Sequence, residues 1–139
     1  ISPRLFRTFA TPSYQRIVAN EGPVTGFHTC GNIEAVALDL LNVFPAMRRL
    51  EVSGWNNVAV LDDIVPAEIG FDIHFINTFV LNAPEEEQQA RLKVIARISR
   101  RRPVSLCAQA MVPFPTYDAT LLRLARFLAL AREELGNIG

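Results

Sequence analysis

Gly26-Phe27-His28-Thr29-Cys30-Gly31-Asn32 closes one short apolar run, Pro23-Val24-Thr25-Gly26-Phe27, and opens another pattern beginning Asn32-Ile33-Glu34. The first run reads as a strand and the second as a helix, so a glycine-marked βα junction lies between them. Side chains two apart in a strand point to one side. His28 and Cys30 therefore share a face, and Thr29 points away. An imidazole beside a thiol at the carboxyl end of a strand is half of a zinc site. The plainer alternative is a His and a Cys both satisfied by the core.

Outward from this junction the same unit recurs. Residues 3–20 read as a helix with Ser2 as N-cap and Pro3 at its first position, and with Leu5, Phe6, Phe9, Ser13 and Ile17 as its apolar side. Pro12 is expected to kink or split it. Residues 23–30 form the first expected strand, and Asn32 caps a helix that runs to about Phe44. Residues 48–53 form the second strand. A short helix capped by Asn56 or Asn57 carries Val58, Leu61 and Ile64. Residues 72–80 read as the third strand. A long helix capped by Asn82 follows, with Glu85, Glu86 and Glu87 at its positive end and Lys93, Arg97, Arg100, Arg101 and Arg102 at its negative end. Pro103 stops that helix, and residues 104–108 form the fourth strand. A loop rich in proline, Val112-Pro113-Phe114-Pro115-Thr116, leads to a last helix opened by Asp118, with Tyr117 in the loop. Leu121, Leu122, Leu124, Ala125, Leu128 and Leu135 lie on or near its apolar side.

Four βα units after a helix predict an α/β fold with a parallel sheet and right-handed crossovers. Four such units are half of a (β/α)8 barrel. No Gly-rich phosphate loop follows the first strand, which disfavours an open nucleotide-binding sheet. A half-barrel has two open edges and a bare inner face. The missing half is expected from an upstream segment or from a second copy, so the isolated chain is expected to behave poorly or to form a homodimer. The start, Ile1-Ser2-Pro3-Arg4, carries neither an initiator Met nor a signal-peptide pattern and reads as the interior of a longer protein.

The 139 residues suffice for one domain with a real core, half of them are hydrophobic, and Lys+Arg and Asp+Glu both number 14. This balance offers no basis for a nucleic-acid or membrane-surface partner. No apolar run approaches the ~20 residues of a membrane span. Two cysteines are too few for a disulfide scaffold, although Cys30 and Cys107 could form one bridge. The expected state is reduced thiols in the cytoplasm.

In a barrel the carboxyl ends of all strands meet at one mouth. The expected strands bring His28 and Cys30, then Glu51, then His74, Asn77 and Thr78, then Cys107 to that end. His28, Cys30, Cys107 and Glu51 together would complete a tetrahedral zinc site. Glu51 and His74 are the candidate catalytic residues, although a histidine placed like His74 is more often a core or supporting residue than a ligand. Trp55, Asn77 and Thr78 are the candidate substrate contacts.

The ordered set Phe27-His28-Thr29-Cys30-Gly31-Asn32, Leu50-Glu51-Val52-Ser53 and Leu106-Cys107 resembles the carboxyl-terminal half of the uroporphyrinogen decarboxylase superfamily. The opening segment, Ile1 to Phe9 with Pro12-Ser13-Tyr14, resembles the helix before the His-x-Cys strand there. The resemblance covers essentially the whole chain and implies a (β/α)8 barrel. The superfamily's corrinoid-dependent methyltransferases bind zinc through a His-x-Cys pair and a later Cys, which His28, Cys30 and Cys107 match. Cobalamin-independent methionine synthase, a distant branch, adds a Glu on the following strand, which Glu51 matches. The Gly-His-Gly segment of the metal-free decarboxylase is absent from Leu106-Cys107-Ala108-Gln109-Ala110-Met111, and the Gly usual beside the last Cys is also missing. The resemblance therefore implies a zinc-dependent methyltransferase. It would move a methyl group from a corrinoid, carried on a partner protein, to a small thiol. The alternatives are a metal-free decarboxylase and an inactive half-barrel that pairs with a partner.

Overall fold

The computed structural model describes residues 1–108 and 115–136. The expected segment Gln109-Ala110-Met111 and the loop from Val112 to Phe114 lie outside them. In chain order the elements are α1 (Pro3–Leu5), a π-helical turn (Phe6–Ala10), α2 (Thr11–Glu21), β1 (Gly26–Phe27), a 3-10 turn (Glu34–Val36) and α3 (Ala37–Val43). Then come β2 (Arg49–Val52), α4 (Val58–Ile64), β3 (Gly70–Phe75), α5 (Asn77–Asn82), α6 (Glu85–Ser99), β4 (Val104–Ala108) and α7 (Tyr117–Leu135). The fold is α/β, as expected, with one all-parallel sheet in the order β1-β2-β3-β4.

Sequential order has a consequence. Each strand pairs with the next one in the chain, and right-handed crossovers then put the helices on one face of the sheet. Residue period confirms the division. Leu50 and Val52, Phe71, Ile73 and Phe75, and Val104, Leu106 and Ala108 join one apolar cluster with Leu40 of α3, Leu61 of α4, Leu92 and Ile95 of α6, and Phe127 of α7. The alternate positions are polar: Arg49 and Glu51, Asp72 and His74, Ser105 and Cys107. One face of the sheet is thus a core and the other is open.

Several expected elements moved. The helix at the amino end does not break at Pro12. Instead the missing amide hydrogen is accommodated by a π turn, in which Thr11 N–H reaches back to Phe6 O. Its packing stripe is Phe6, Ala10, Tyr14 and Val18, while Leu5, Phe9 and Ile17 are exposed. Both stripes repeat every four residues, and the Phe6–Tyr14–Phe27–Phe44 ring cluster chooses between them. Ser2 caps α1 as expected, accepting from Leu5 N–H.

The first strand is shorter than expected, two residues rather than 23–30. The helix after Asn32 starts as the 3-10 turn at Glu34. The third strand does not run over 72–80. It ends at Phe75, and α5 takes up Asn77 to Asn82. Phe79 turns back to stack on Phe75 with centroids 5.6 Å apart, and the Arg91 guanidinium lies over both rings. That packing overrides the strand preference of β-branched and aromatic residues. Asn82 consequently ends α5 and does not cap α6, whose N-cap position is Pro84. Thr116, not Asp118, caps α7, and its buried stripe is Thr120, Phe127 and Ala131, with Leu121, Leu122 and Leu128 exposed.

Arg102 also departs from expectation. It does not crown the negative end of α6. It folds under the α4–β3 connection and is buried with Asp62.

Candidate functional site

The open face has two tiers, both set by the pairing register. In the lower tier Arg49 of β2 reaches Asp72 of β3, with Nε 3.2 Å from Oδ2 and a second, closer contact from Nη2 to Oδ1. Arg49 Nη2 also donates to Ser105 Oγ at 3.2 Å, and Ser105 in turn donates to Asp72. Asp72 is the register partner of both Glu51 and Ser105. Burial pulls the Asp72 carboxyl up. The hydrogen bonds from Arg49 and Ser105, with the charges of Arg49 and His74, outweigh that and hold it below the usual carboxylate range.

A lowered folded-state pKa means stability that is present above the unfolded value of about 3.9 and lost as pH falls through the folded value. Asp72→Asn is therefore expected to lower the urea midpoint at pH 7, with the gap to the parent closing as the pH is taken below that window. A gap that stays constant with pH would show that Asp72 acts only through packing.

The upper tier holds the candidate site residues. His28 follows β1, next to Glu51 on β2. Its Nδ1 contacts Glu51 Oε2. Its Nε2 lies 3.3 Å from Cys30 Sγ. Glu51 Oε1 faces His74 Nδ1 on β3 at 3.5 Å, and these two buried atoms have no hydrogen-bond partner among the described residues. His74 is in turn the register partner of Cys107. Both histidines and both cysteines of the chain thus fall on the open face or at its carboxyl rim, with Glu51 between the imidazoles. Both cysteines are free thiols. A cavity of about 240 Å³ lined by Gly26, Phe27, His28, Arg49, Glu51 and Asp72 opens beside the His28–Glu51 pair.

The loop carrying Cys30 is held from β2's far end. Ser53 Oγ donates to Gly31 O at 2.9 Å. Asn56 Nδ2 donates to the same carbonyl at 3.0 Å, and Asn56 Oδ1 accepts from Ile33 N–H at 2.8 Å. Asn32 Nδ2 donates to Trp55 O, and Glu34 Oε1 accepts from Asn57 N–H. Asn57 is the residue that caps α4, through Ala59 N–H, leaving Asn56 for the loop. Gly54 is required here, because a Cβ would meet Ile76 Cγ2 at 2.9 Å and Ile76 N at 3.2 Å.

Among the expected substrate contacts, Trp55, which follows β2, is 65% exposed. Asn77 and Thr78 sit in the first turn of α5, beyond the carboxyl end of β3, and not on the strand. All three therefore lie at the site's end of the sheet. The donor set divides: His28 and Cys30 stand together, while Cys107 is on β4 with β2 and β3 between. Among the described residues no group of three or more His, Cys, Asp or Glu is disposed to hold a metal.

The lower tier was within reach of sequence reading. Arg49, Asp72 and Ser105 each stand two residues before Glu51, His74 and Cys107, so period two puts them on the same face. Ser53 and Asn56 carried no such signal, since their partners in the Cys30 loop are distant in sequence.

Among the described residues no helix is long and apolar enough to cross a membrane. Compared with protein-family models, with curated proteins and with solved structures, the chain matches none.

Proposed function

We propose that this chain is half of a (β/α)8 barrel whose mouth activates a thiol for methyl transfer. The observation that carries the reading is the placement of both cysteines and both histidines on the open face or at its carboxyl rim, with His28 Nε2 and Cys30 Sγ 3.3 Å apart. Two donors on one tetrahedral zinc are separated by about 3.5 Å, given ordinary Zn–N and Zn–S lengths. The His28–Cys30 pair fits that spacing without rearrangement. Cys107 belongs to the same face, and curvature of the sheet turns such inward side chains toward one another. His28, Cys30 and Cys107 are the residues that would hold the metal, with the Glu51 carboxylate alongside.

Zinc, when bound, lowers a thiol's pKa and fixes its sulfur. The chain's own residues supply the rest. Trp55, Asn77 and Thr78 border the mouth where a small thiol would sit. The methyl donor in this reading is a corrinoid on a partner protein docked over the mouth. The second half of the barrel is another copy of this chain or a further segment, and the setting is the cytoplasm. A metal-free decarboxylase wants free arginines for substrate carboxylates. Arg49, the arginine on the open face, is committed to Asp72 and Ser105, which favours the thiol reading.

The test is elemental analysis of the chain purified under reducing conditions. About one zinc per chain is expected, lost in Cys30→Ala and in Cys107→Ala. Stoichiometric zinc retained in Cys107→Ala would remove that residue from the ligand set, and a folded chain without zinc would overturn the reading.

A further inference from the structure

We propose that Glu51 is a positioning residue that holds His28 in one tautomer, and not itself a metal ligand. The inference deepens the thiol-activating reading and rests on it for the identity of the metal. Glu51 is 8% exposed, flanked on the open face by His28 on one side and His74 on the other. Its Oε2 meets His28 Nδ1. A carboxylate only accepts hydrogen bonds, so the proton of a neutral His28 must sit on Nδ1. That leaves the lone pair on Nε2, the nitrogen 3.3 Å from Cys30 Sγ. The thiol and the imidazole lone pair are thereby presented together before anything binds.

The second oxygen is used the same way. Oε1 faces His74 Nδ1 at 3.5 Å, and neither buried atom has another hydrogen-bond partner among the described residues. A small closure between them gives His74 the same tautomer as His28. Each oxygen then serves an imidazole, one beside Cys30 and the other beside Cys107. This is the carboxylate–imidazole arrangement by which proteins orient histidine ligands and raise their basicity.

Two imidazoles make the test direct, because the chain has only two histidines. Long-range proton–nitrogen correlation spectra of the metal-free, nitrogen-15-labelled chain are recorded at a pH where imidazole is neutral, with His74→Gln to assign the signals. His28 is expected to carry its proton on Nδ1. Glu51→Gln, which keeps an acceptor, should retain that form, and Glu51→Ala should lose it. A parent chain with the His28 proton on Nε2 overturns the inference, and parent spectra in which both imidazoles carry the proton on Nε2 do so without any variant.

Zinc titration against a chromophoric chelator supplies the second arm. Glu51→Ala should bind one zinc about 10–100-fold more weakly than the parent, and cobalt substituted into it should keep its thiolate absorption. Loss of stoichiometric binding in a folded Glu51→Ala, equal to the loss in Cys30→Ala, would make Glu51 a ligand and overturn the inference. A parent chain with the expected tautomer and no zinc affinity would sink the metal reading and leave the positioning role standing.

Discussion

Arg102→Ala is expected to destabilise the chain by about 3–5 kcal/mol, the usual cost of breaking a buried ion pair from one side. The side chains of Arg102 and Asp62 are 2% and 3% exposed. Arg102 Nε donates to Asp62 Oδ1 at 2.8 Å. Its Nη1 donates to Ile69 O at 2.9 Å and Pro66 O at 3.2 Å. Its Nη2 donates to Val65 O at 2.8 Å and Asp62 O at 3.1 Å. Every N–H of the guanidinium fork is used. The plane also lies over the Phe71 ring, 4.1 Å from its centroid. One side chain thereby closes the α4–β3 connection, whose carbonyls have turned away from helix and sheet.

Native stabilities run to about 5–15 kcal/mol, so a fifth or more of the total is at stake. Arg101 keeps a contact to Asp62 and moderates the loss, placing it toward the lower end of the range. Arg102→Lys should recover little, since an ammonium cannot reproduce the fork. Arg101→Ala, at an exposed position, should cost under about 1 kcal/mol. Urea midpoints of the three variants measure this. A loss below about 1 kcal/mol in Arg102→Ala would mean that water replaces the fork without penalty.

Asn56→Ala should cost about 2–4 kcal/mol and loosen the site as well. Four hydrogen bonds, three from Nδ2 and one to Oδ1, are removed at up to about 1 kcal/mol net each, and the Ile33 amide is left without its acceptor. Asn56 is 4% exposed and joins Ser53 to Gly31 O and Ile33 N–H, which bracket the Cys30 turn. Hydrogen exchange should show the Ile33 amide losing protection, and on the proposed thiol-activating reading zinc affinity should fall along with stability. Ser53→Ala removes one of two donors to Gly31 O, so its cost should stay near 1 kcal/mol. Unchanged protection of Ile33 in Asn56→Ala would show that the turn holds itself.

Much of this was legible along the chain. Periods of two in Arg49-Leu50-Glu51-Val52 and Val104-Ser105-Leu106-Cys107 placed β2 and β4 and told which side chains share a face, because strand geometry is local. The βα recurrence pointed to a parallel sheet for the same reason. The limits of β3 were not legible. Residues 76–80 look like more strand, and only the return of Phe79 onto Phe75 under Arg91 makes them a helix. In the first and last helices, hydrophobicity allowed neighbouring stripes; contact with Phe27 and Phe44, or with Phe75, decided which one is buried.

At the site the division is the same. The sequence by itself determined that Glu51, His74 and Cys107 occupy strands, since period two settles that. His28 and Cys30 do stand side by side as expected, but β1 ends at Phe27 and the loop after it, not strand spacing, brings them together. The tertiary structure decided that the strands pair in chain order, leaving one face open, and that Glu51 lies between the two imidazoles. It also decided that Asn56 grips the Cys30 turn and that Arg102 is buried. Each of those depends on which distant backbone or side-chain atom fills a hydrogen bond, and local spacing carries no record of that.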